Sequence, residues 1–246
     1  MTESRVAIIL GAGDGIGSAV GRRFAREGYA TLLVRRDPAK SAQVVEEIAA
    51  SGGAAVALGV DVRQEDAVQD LFARAERDYG PVEVCVYNAA SNVKLPLRET
   101  DAGLFRKVWE LACFGGFLAA RESARTMVPR GKGTILFTGA TASVRGGDGF
   151  AAFASAKAAL RTVAQSAARE LGKEGVHVAH VVIDAGVDSA VTHERYRRLR
   201  GIDPDTLPPD SLTRPDSIAD TYWALHAQPR DAWTHELDLR PYVEPW

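Results

Sequence analysis

The sequence predicts an α/β protein built as one doubly wound parallel sheet with helices on both faces, and three observations carry that prediction. Short apolar runs bounded by turn residues alternate with longer segments of helical periodicity along nearly the whole chain. The runs are apolar at consecutive positions, as expected of strands covered on both faces. The first run, residues 6–10, leads into Gly11-Ala12-Gly13-Asp14-Gly15-Ile16-Gly17 and then into a helical pattern. Glycines suit a chain that must reverse tightly, expose backbone N–H groups and admit a diphosphate where a Cβ would obstruct it. The positive end of the following helix then faces the phosphates.

Each element follows in order. Ile16, Val20 and Phe24 share one face of the first helix, which stops near Gly28. A second strand over residues 30–34 ends at Arg35 and Arg36. Asp37-Pro38 opens the next helix, whose apolar side is Val44, Val45 and Ile48. Strand three covers 54–60, followed by Asp61-Val62 and a helix carrying Val68, Leu71, Phe72 and Ala75. Strand four, 82–87, ends at Asn88-Ala89-Ala90, and one long helical pattern then runs from 101 to 127 before Pro129. Residues 134–138 form strand five, 150–171 a helix and 176–183 strand six. From 185 to 214 the chain turns charged and gains Pro204, Pro208 and Pro209, which reads as a surface excursion or lid. A helix over 218–225 and a strand over 233–239 precede the tail. No repeat or linker divides the chain, so residues 1–246 are read as a single domain.

A chain of 246 residues, 46% hydrophobic and 25% charged, is long enough to bury a substantial core. Its net charge of −2 gives no general attraction to nucleic acid or to anionic lipid. No apolar run approaches the roughly 18 residues of a membrane span. Met1 to Arg5 lacks the basic and long apolar regions of a secretion signal. Cys85 and Cys113 fall in a strand and a helix without ligand spacing, so they read as unpaired, buried thiols of a cytoplasmic protein. None of His177, His180, His193, His226 and His235 has metal-ligand spacing suited to its element, and no metal is expected.

The GxxxGxG turn at Gly11, Gly15 and Gly17, Asp61-Val62 after strand three, Asn88-Ala89-Ala90 after strand four and Lys157 after strand five occur in a telling order. Together they resemble the short-chain dehydrogenase/reductase family over nearly the full length. The resemblance implies a Rossmann-like dinucleotide site formed by Gly11, Gly13, Asp14, Gly15, Ile16, Gly17, Arg35, Arg36, Asp61, Val62, Asn88, Ala89 and Lys157. In it Asp61 touches the adenine ring, the Asn88 turn lies along the cofactor and Lys157 holds the nicotinamide ribose. It also implies a homodimer or homotetramer, for which Phe105, Trp109, Phe114 and Phe117 are candidate surface residues; packing within the subunit is the alternative. Ala90 stands where the family usually has glycine.

Arg35 and Arg36 lie about 20 residues beyond the glycine turn, where the adenosine ribose is read. Guanidinium groups match a 2′-phosphate, whereas an acidic side chain would bond the ribose hydroxyls. NADP(H) is therefore favoured over NAD(H). Asp37 keeps NAD(H) open, and Asp14 is not the basic residue that many NADP-binding members carry in the loop.

The chemistry departs from the resemblance. Family members use Asn, Ser, Tyr and Lys, and these positions fall here on Ala112, Ala140, Phe153 and Lys157. Phe153 has no ionisable hydrogen, and a positioned acid or base is commonly worth about 10²–10⁴ in rate. The Pro-Gly turn of the family after strand six is replaced by Ile183-Asp184-Ala185-Gly186. Thr141 and Ser143 are candidate replacement hydroxyls, with backbone capping as the alternative. His193 and Tyr196 are candidate substrate contacts or a substitute acid. The run from Glu194 to Arg200 is either a solvated helix face or an attraction for an anionic substrate. Two functions remain: an NADP(H)-binding oxidoreductase with unusual catalytic residues and an unknown small-molecule substrate, or a catalytically inactive cofactor-binding pseudoenzyme acting as scaffold or sensor.

Overall fold

The computed structural model describes residues 5–244, so the ends of the expected domain and tail, residues 1–4 and 245–246, lie outside the described residues. Seven strands are present among them: β1 (Arg5–Leu10), β2 (Tyr29–Arg35), β3 (Ala54–Gly59), β4 (Val82–Tyr87), β5 (Gly133–Thr138), β6 (Val176–Ile183) and β7 (Glu236–Leu239). They form one sheet in the order β3-β2-β1-β4-β5-β6-β7, parallel throughout. The helices are α1 (Ile16–Arg26), α2 (Ala42–Ala50), α3 (Glu65–Asp78), α4 (Ala102–Trp109), α5 (Gly115–Met127), α6 (Ala151–Leu171), α7 (Ala190–Arg200) and α8 (Pro215–His226).

The two-fold alternation of a strand divides the core. Val6, Ile8 and Leu10 of β1 face Val68, Leu71 and Phe72 of α3, Leu118 of α5 and Leu160 of α6. Ala7 and Ile9 face the other layer, with Val20 and Phe24 of α1, Ile48 of α2 and Ile218 and Tyr222 of α8. Covering both faces is what makes the strands read as continuous apolar runs, and each fully buried Leu, Ile or Phe contributes about 1.5–3 kcal/mol. The strand order reverses at β1, which pairs with β2 on one side and β4 on the other. In open sheets of this kind such a reversal, here beyond the carboxyl ends of β1 and β4, is where ligands bind.

Three elements differ from the sequence expectation. The helical pattern over 101–127 is broken into α4 and α5 by a π turn at Glu110–Phe114. The Tyr87 hydroxyl at the end of β4 donates to the Leu111 carbonyl within that turn, and a Cβ at Gly115 would lie 2.9 Å from the Val62 carbonyl oxygen. The apolar pattern continues through the turn, so periodicity alone reads it as unbroken helix. In the 185–214 excursion the helix read over 194–200 starts earlier, as α7 from Ala190, capped by Ser189 and closed by Gly201 at φ +63°. The last strand is shorter than 233–239, because Trp233 stacks on His177 at 4.9 Å between ring centroids and stays outside the ladder.

One half-buried and one buried histidine give the fold a defined pH response. His226 lies 2.7 Å from the Tyr29 hydroxyl and 2.8 Å from the Thr134 hydroxyl, and His180, fully buried, lies 2.9 Å from Glu236. Burial pushes both imidazoles down to about 4 from 6.5. Between those values the unfolded chain binds more protons than the folded one, so stability falls as pH falls through that window. Urea unfolding is expected to show a loss of roughly 4 kcal/mol between pH 7 and pH 5, about half of it removed in His226→Gln. A flat profile in that window would contradict the neutral state of these rings.

Candidate functional site

The glycine turn splits into two kinds of glycine. Gly11 follows β1 at φ +93°, and a Cβ there would lie 2.5 Å from the Ala89 backbone nitrogen. A Cβ at Gly17 would collide with the Gly11 carbonyl and lie 2.7 Å from Ala12 Cα. These two positions are closed by the protein's own backbone. At Gly13 nothing lies within 4 Å of such a Cβ, and at Gly15 the neighbour is Ser189 Cβ at 3.8 Å. The loop thus has an open floor immediately before α1. That helix begins at Ile16 with no side-chain cap and no acidic residue in its first turn, so its positive end is left facing the loop. Asn88 ties the loop to β4: its Nδ2 donates to the Gly11 carbonyl at 2.8 Å and its backbone nitrogen to the Leu10 carbonyl at 2.8 Å.

At the ends of β2 and β3 the charged residues are already engaged. The Arg35 guanidinium donates to Asp14 Oδ1 at 2.8 Å, to the Lys40 carbonyl at 3.3 Å and to the Ala12 carbonyl at 3.4 Å. Arg36 is exposed. Asp37 accepts from the Ala39 backbone nitrogen at 3.2 Å and starts the turn Pro38–Ser41. The Arg63 guanidinium, 2.5 Å from Asp61, holds that carboxyl below the usual carboxylate range, with Arg36 adding to the effect. Val62 is buried beside Gly115. The partners Arg63 for Asp61 and Asp14 for Arg35 were not legible in the sequence.

Lys157 on α6 is 2% exposed, and its ammonium donates to the Thr138 carbonyl at 2.7 Å. Burial pushes its pKa down to about 8. One turn earlier the Phe153 ring lies with its centroid 6.0 Å from Lys157 Nζ. Phe153 packs with Ala112 of the π turn and with Val108, Ala152 and Ala156 in a buried apolar cluster, edged by Val93, Leu104, Ala140, Ala142 and Phe150. The structure therefore gathers Ala112, Ala140, Phe153 and Lys157 at one place, with an ammonium as the polar group among those four side chains.

Residues 5–199 match the short chain dehydrogenase family. The chain belongs to that family. The oxidoreductase YuxG of Bacillus subtilis, itself described as uncharacterised, is 34% identical over 211 residues, which cover 82% of this chain and 31% of YuxG. The chain thus spans under a third of that relative's length. A short-chain dehydrogenase from Rhodopseudomonas palustris is 45% identical, with a TM-score of 0.82 over 97% of this chain and 99% of the other. A metagenomic short-chain oxidoreductase solved in complex with NADP is 25% identical, with a TM-score of 0.83 over 99% of this chain and all of the other.

Around the candidate site of this member of the short chain dehydrogenase family, the remaining candidates separate. Ser143 Oγ accepts from the Ala140 backbone nitrogen at 3.1 Å, a capping contact. The Thr141 hydroxyl instead donates to the buried carboxylate of Asp184, which also takes Arg145 at 3.3 Å and Arg240 at 3.4 Å. His193 Nε2 lies 2.7 Å from Asp188 Oδ1. The Tyr196 hydroxyl abuts Gly186, where a Cβ would lie 2.8 Å from it. Sequence reading named the Ile183-Asp184-Ala185-Gly186 turn but not its link to Thr141, 43 residues away. Among the described residues no group of three or more His, Cys, Asp or Glu is placed to hold a metal, and no helix is long and apolar enough to cross a membrane.

Proposed function

We propose that this chain is an NADP(H)-binding oxidoreductase acting on a small molecule, with proton transfer supplied from outside positions 112, 140 and 153. The observation that carries the reading is the open floor at Gly13 and Gly15 before the uncapped start of α1, a cradle that a Cβ would fill. The oxidoreductase names of its relatives support it, as does the NADP complex of the metagenomic one. When bound, the dinucleotide supplies or takes a hydride. Lys157, fixed by the Thr138 carbonyl, offers its ammonium to ribose hydroxyls; Phe153, Ala112 and Ala140 exclude water and offer no proton. Thr141, held by Asp184, is the hydroxyl next in sequence to position 140. Two free, buried cysteines support a cytoplasmic setting, and Phe105, Trp109 and Phe117, exposed on α4 and α5, support assembly into a homodimer or homotetramer.

NADP(H) is favoured over NAD(H) because Arg36 is exposed at the end of β2, while Arg35 stands beside it in the hold of Asp14. Calorimetric titration is expected to give at least about tenfold tighter binding of NADPH than NADH. Asp14→Ala, by releasing Arg35 and removing an exposed carboxylate, is expected to tighten NADPH about fivefold and leave NADH unchanged. Equal affinity for the two dinucleotides would overturn the preference.

The packing of three apolar side chains beside Lys157 favours a second reading, a pseudoenzyme serving as scaffold or sensor. There NADPH raises the melting temperature by mass action while turnover of carbonyls, imines and activated alkenes stays at background. Turnover that disappears in Lys157→Ala rules that reading out.

A further inference from the structure

Directly after Ala140, at the edge of the apolar cluster, the chain places a hydroxyl whose proton is already committed. Thr141 opens the short turn Thr141–Ser143, and its hydroxyl donates to Asp184 Oδ1. The turn is pinned at three points: the Ser143 backbone nitrogen donates to the Ala140 carbonyl at 2.7 Å, the Ala140 nitrogen to Ser143 Oγ at 3.1 Å and the Val144 nitrogen to the Thr141 carbonyl at 3.1 Å. Asp184 is fixed from the other side. It directly follows β6, the neighbour of β5 in the sheet, and its backbone nitrogen donates to the Leu239 carbonyl of β7 at 2.9 Å. Its carboxylate is buried and takes Arg145 at 3.3 Å and Arg240 at 3.4 Å besides Thr141. The two guanidiniums already compensate the buried charge, so Thr141 is not needed to hold it in place.

A threonine hydroxyl has one proton and two lone pairs. With the proton on Asp184, Thr141 Oγ offers only lone pairs to a molecule bound beside Ala140. Lys157 is its complement: one N–H is spent on the Thr138 carbonyl, three residues before Thr141, and the ammonium has only donors left. An alcohol hydroxyl suits both, because it takes a bond from the ammonium and gives its proton to the threonine oxygen, whereas a ketone oxygen can only take. We propose that Thr141 is the proton-accepting residue of this chain, taking the hydroxyl proton of an alcohol substrate while it passes its own proton to Asp184. The inference rests on the oxidoreductase reading for its hydride step. As the carbon–hydrogen bond breaks and its hydride goes to the oxidised dinucleotide, the C=O bond forms, the alcohol proton bonds to Thr141 Oγ and the threonine proton moves to Asp184 Oδ1. Arg145, whose side chain is half exposed, leads from the carboxylate to solvent, where the proton is released.

Cyclohexanol, 2-octanol and 1-phenylethanol, offered with NADP⁺ to the whole chain, test this. The expected result is NADPH formation, with kcat lowered at least about 10²-fold in Thr141→Val and in Asp184→Asn, while the KM of the alcohol rises no more than about fivefold and the NADP⁺ dissociation constant is unchanged. Thr141→Ser, which restores the hydroxyl, is expected to keep kcat within about tenfold of the parent. Thr141→Val leaves Asp184 paired to Arg145 and Arg240, so it decides the matter where Asp184→Asn does not fold. Binding supplies a readout free of turnover: with NADPH present, cyclohexanol is expected to bind about fivefold tighter than cyclohexyl methyl ether, a difference lost in Thr141→Val. Thr141→Val turning over at the parent's kcat, or alcohol and ether binding equally, would overturn the relay and leave the oxidoreductase reading standing. A chain that binds NADP⁺ and oxidises none of the three alcohols also overturns the relay; if it leaves carbonyls, imines and activated alkenes untouched as well, the oxidoreductase reading falls with it.

Discussion

Gly11→Ala is expected to lower stability by about 3–5 kcal/mol and to abolish NADPH binding, whereas Gly13→Ala is expected to keep the fold and lose the cofactor. The two residues are two positions apart in the same loop, yet their surroundings differ completely. At Gly11 the backbone has φ +93°, and an added Cβ would meet Ala89 N at 2.5 Å, Ala89 Cα at 2.7 Å and the Asn88 carbonyl carbon at 2.8 Å. All three are backbone atoms of the turn that Asn88 ties to the loop, so none can swing aside as a side chain would. The added methyl must push β1 and β4 apart at their carboxyl ends. At Gly13 the same methyl meets nothing within 4 Å and projects over the floor before α1. Chemical denaturation with NADPH titration separates the outcomes: Gly11→Ala should shift the midpoint, and Gly13→Ala should raise the NADPH dissociation constant at least about tenfold with the midpoint unmoved. Unchanged NADPH affinity in Gly13→Ala would remove the phosphate from that floor.

The same contrast shows why parts of the protein were readable in the sequence and others were not. The sheet was legible because β1, β4 and β6 are covered on both faces, which leaves a local signature of consecutive apolar residues. The glycine turn was legible as a unit, but which glycines serve packing and which leave space depends on Ala89 and Ser189, far away in the chain. The π turn at Glu110–Phe114 escaped because its cause, the Tyr87 hydroxyl bonding Leu111, lies 24 residues upstream. The gathering of Ala112, Ala140 and Phe153 was anticipated from family spacing, and the cluster that unites them is a tertiary fact. Arg35 was read as an available cation; its ion pair with Asp14, 21 residues away, appears only when β2 lies beside β1. Lys94 carried no signal, and Arg195 stood in the 194–200 run that was open between a solvated helix face and an attraction for an anionic substrate; that both lie over the Phe150 ring is a tertiary fact.

The combined variant Ala112→Asn, Ala140→Ser and Phe153→Tyr is expected to raise NADPH-dependent carbonyl reduction by about 10²–10⁴ over the parent chain. The argument begins at Phe153, whose ring already lies with its centroid 6.0 Å from the Lys157 ammonium. A hydroxyl on that ring is an ionisable proton placed near a positive charge, which lowers a phenol's pKa toward the working range. Residue 140 sits at the half-buried edge of the cluster, so a serine there can turn its hydroxyl toward a substrate oxygen. Residue 112 is the demanding one. It is fully buried in the π turn, so an asparagine side chain must displace packed apolar atoms at about 1–3 kcal/mol and still find partners for its amide. Phe153→Tyr with Ala140→Ser alone should therefore recover most of the rate with less loss of melting temperature. Loss of NADPH absorbance over a panel of aldehydes and ketones measures the gain, and Lys157→Ala in the same background should erase it. A folded, NADPH-binding triple variant no faster than the parent would mean that the substrate carbonyl is not presented to these positions, and that the chemistry of this chain takes place at another face of the site.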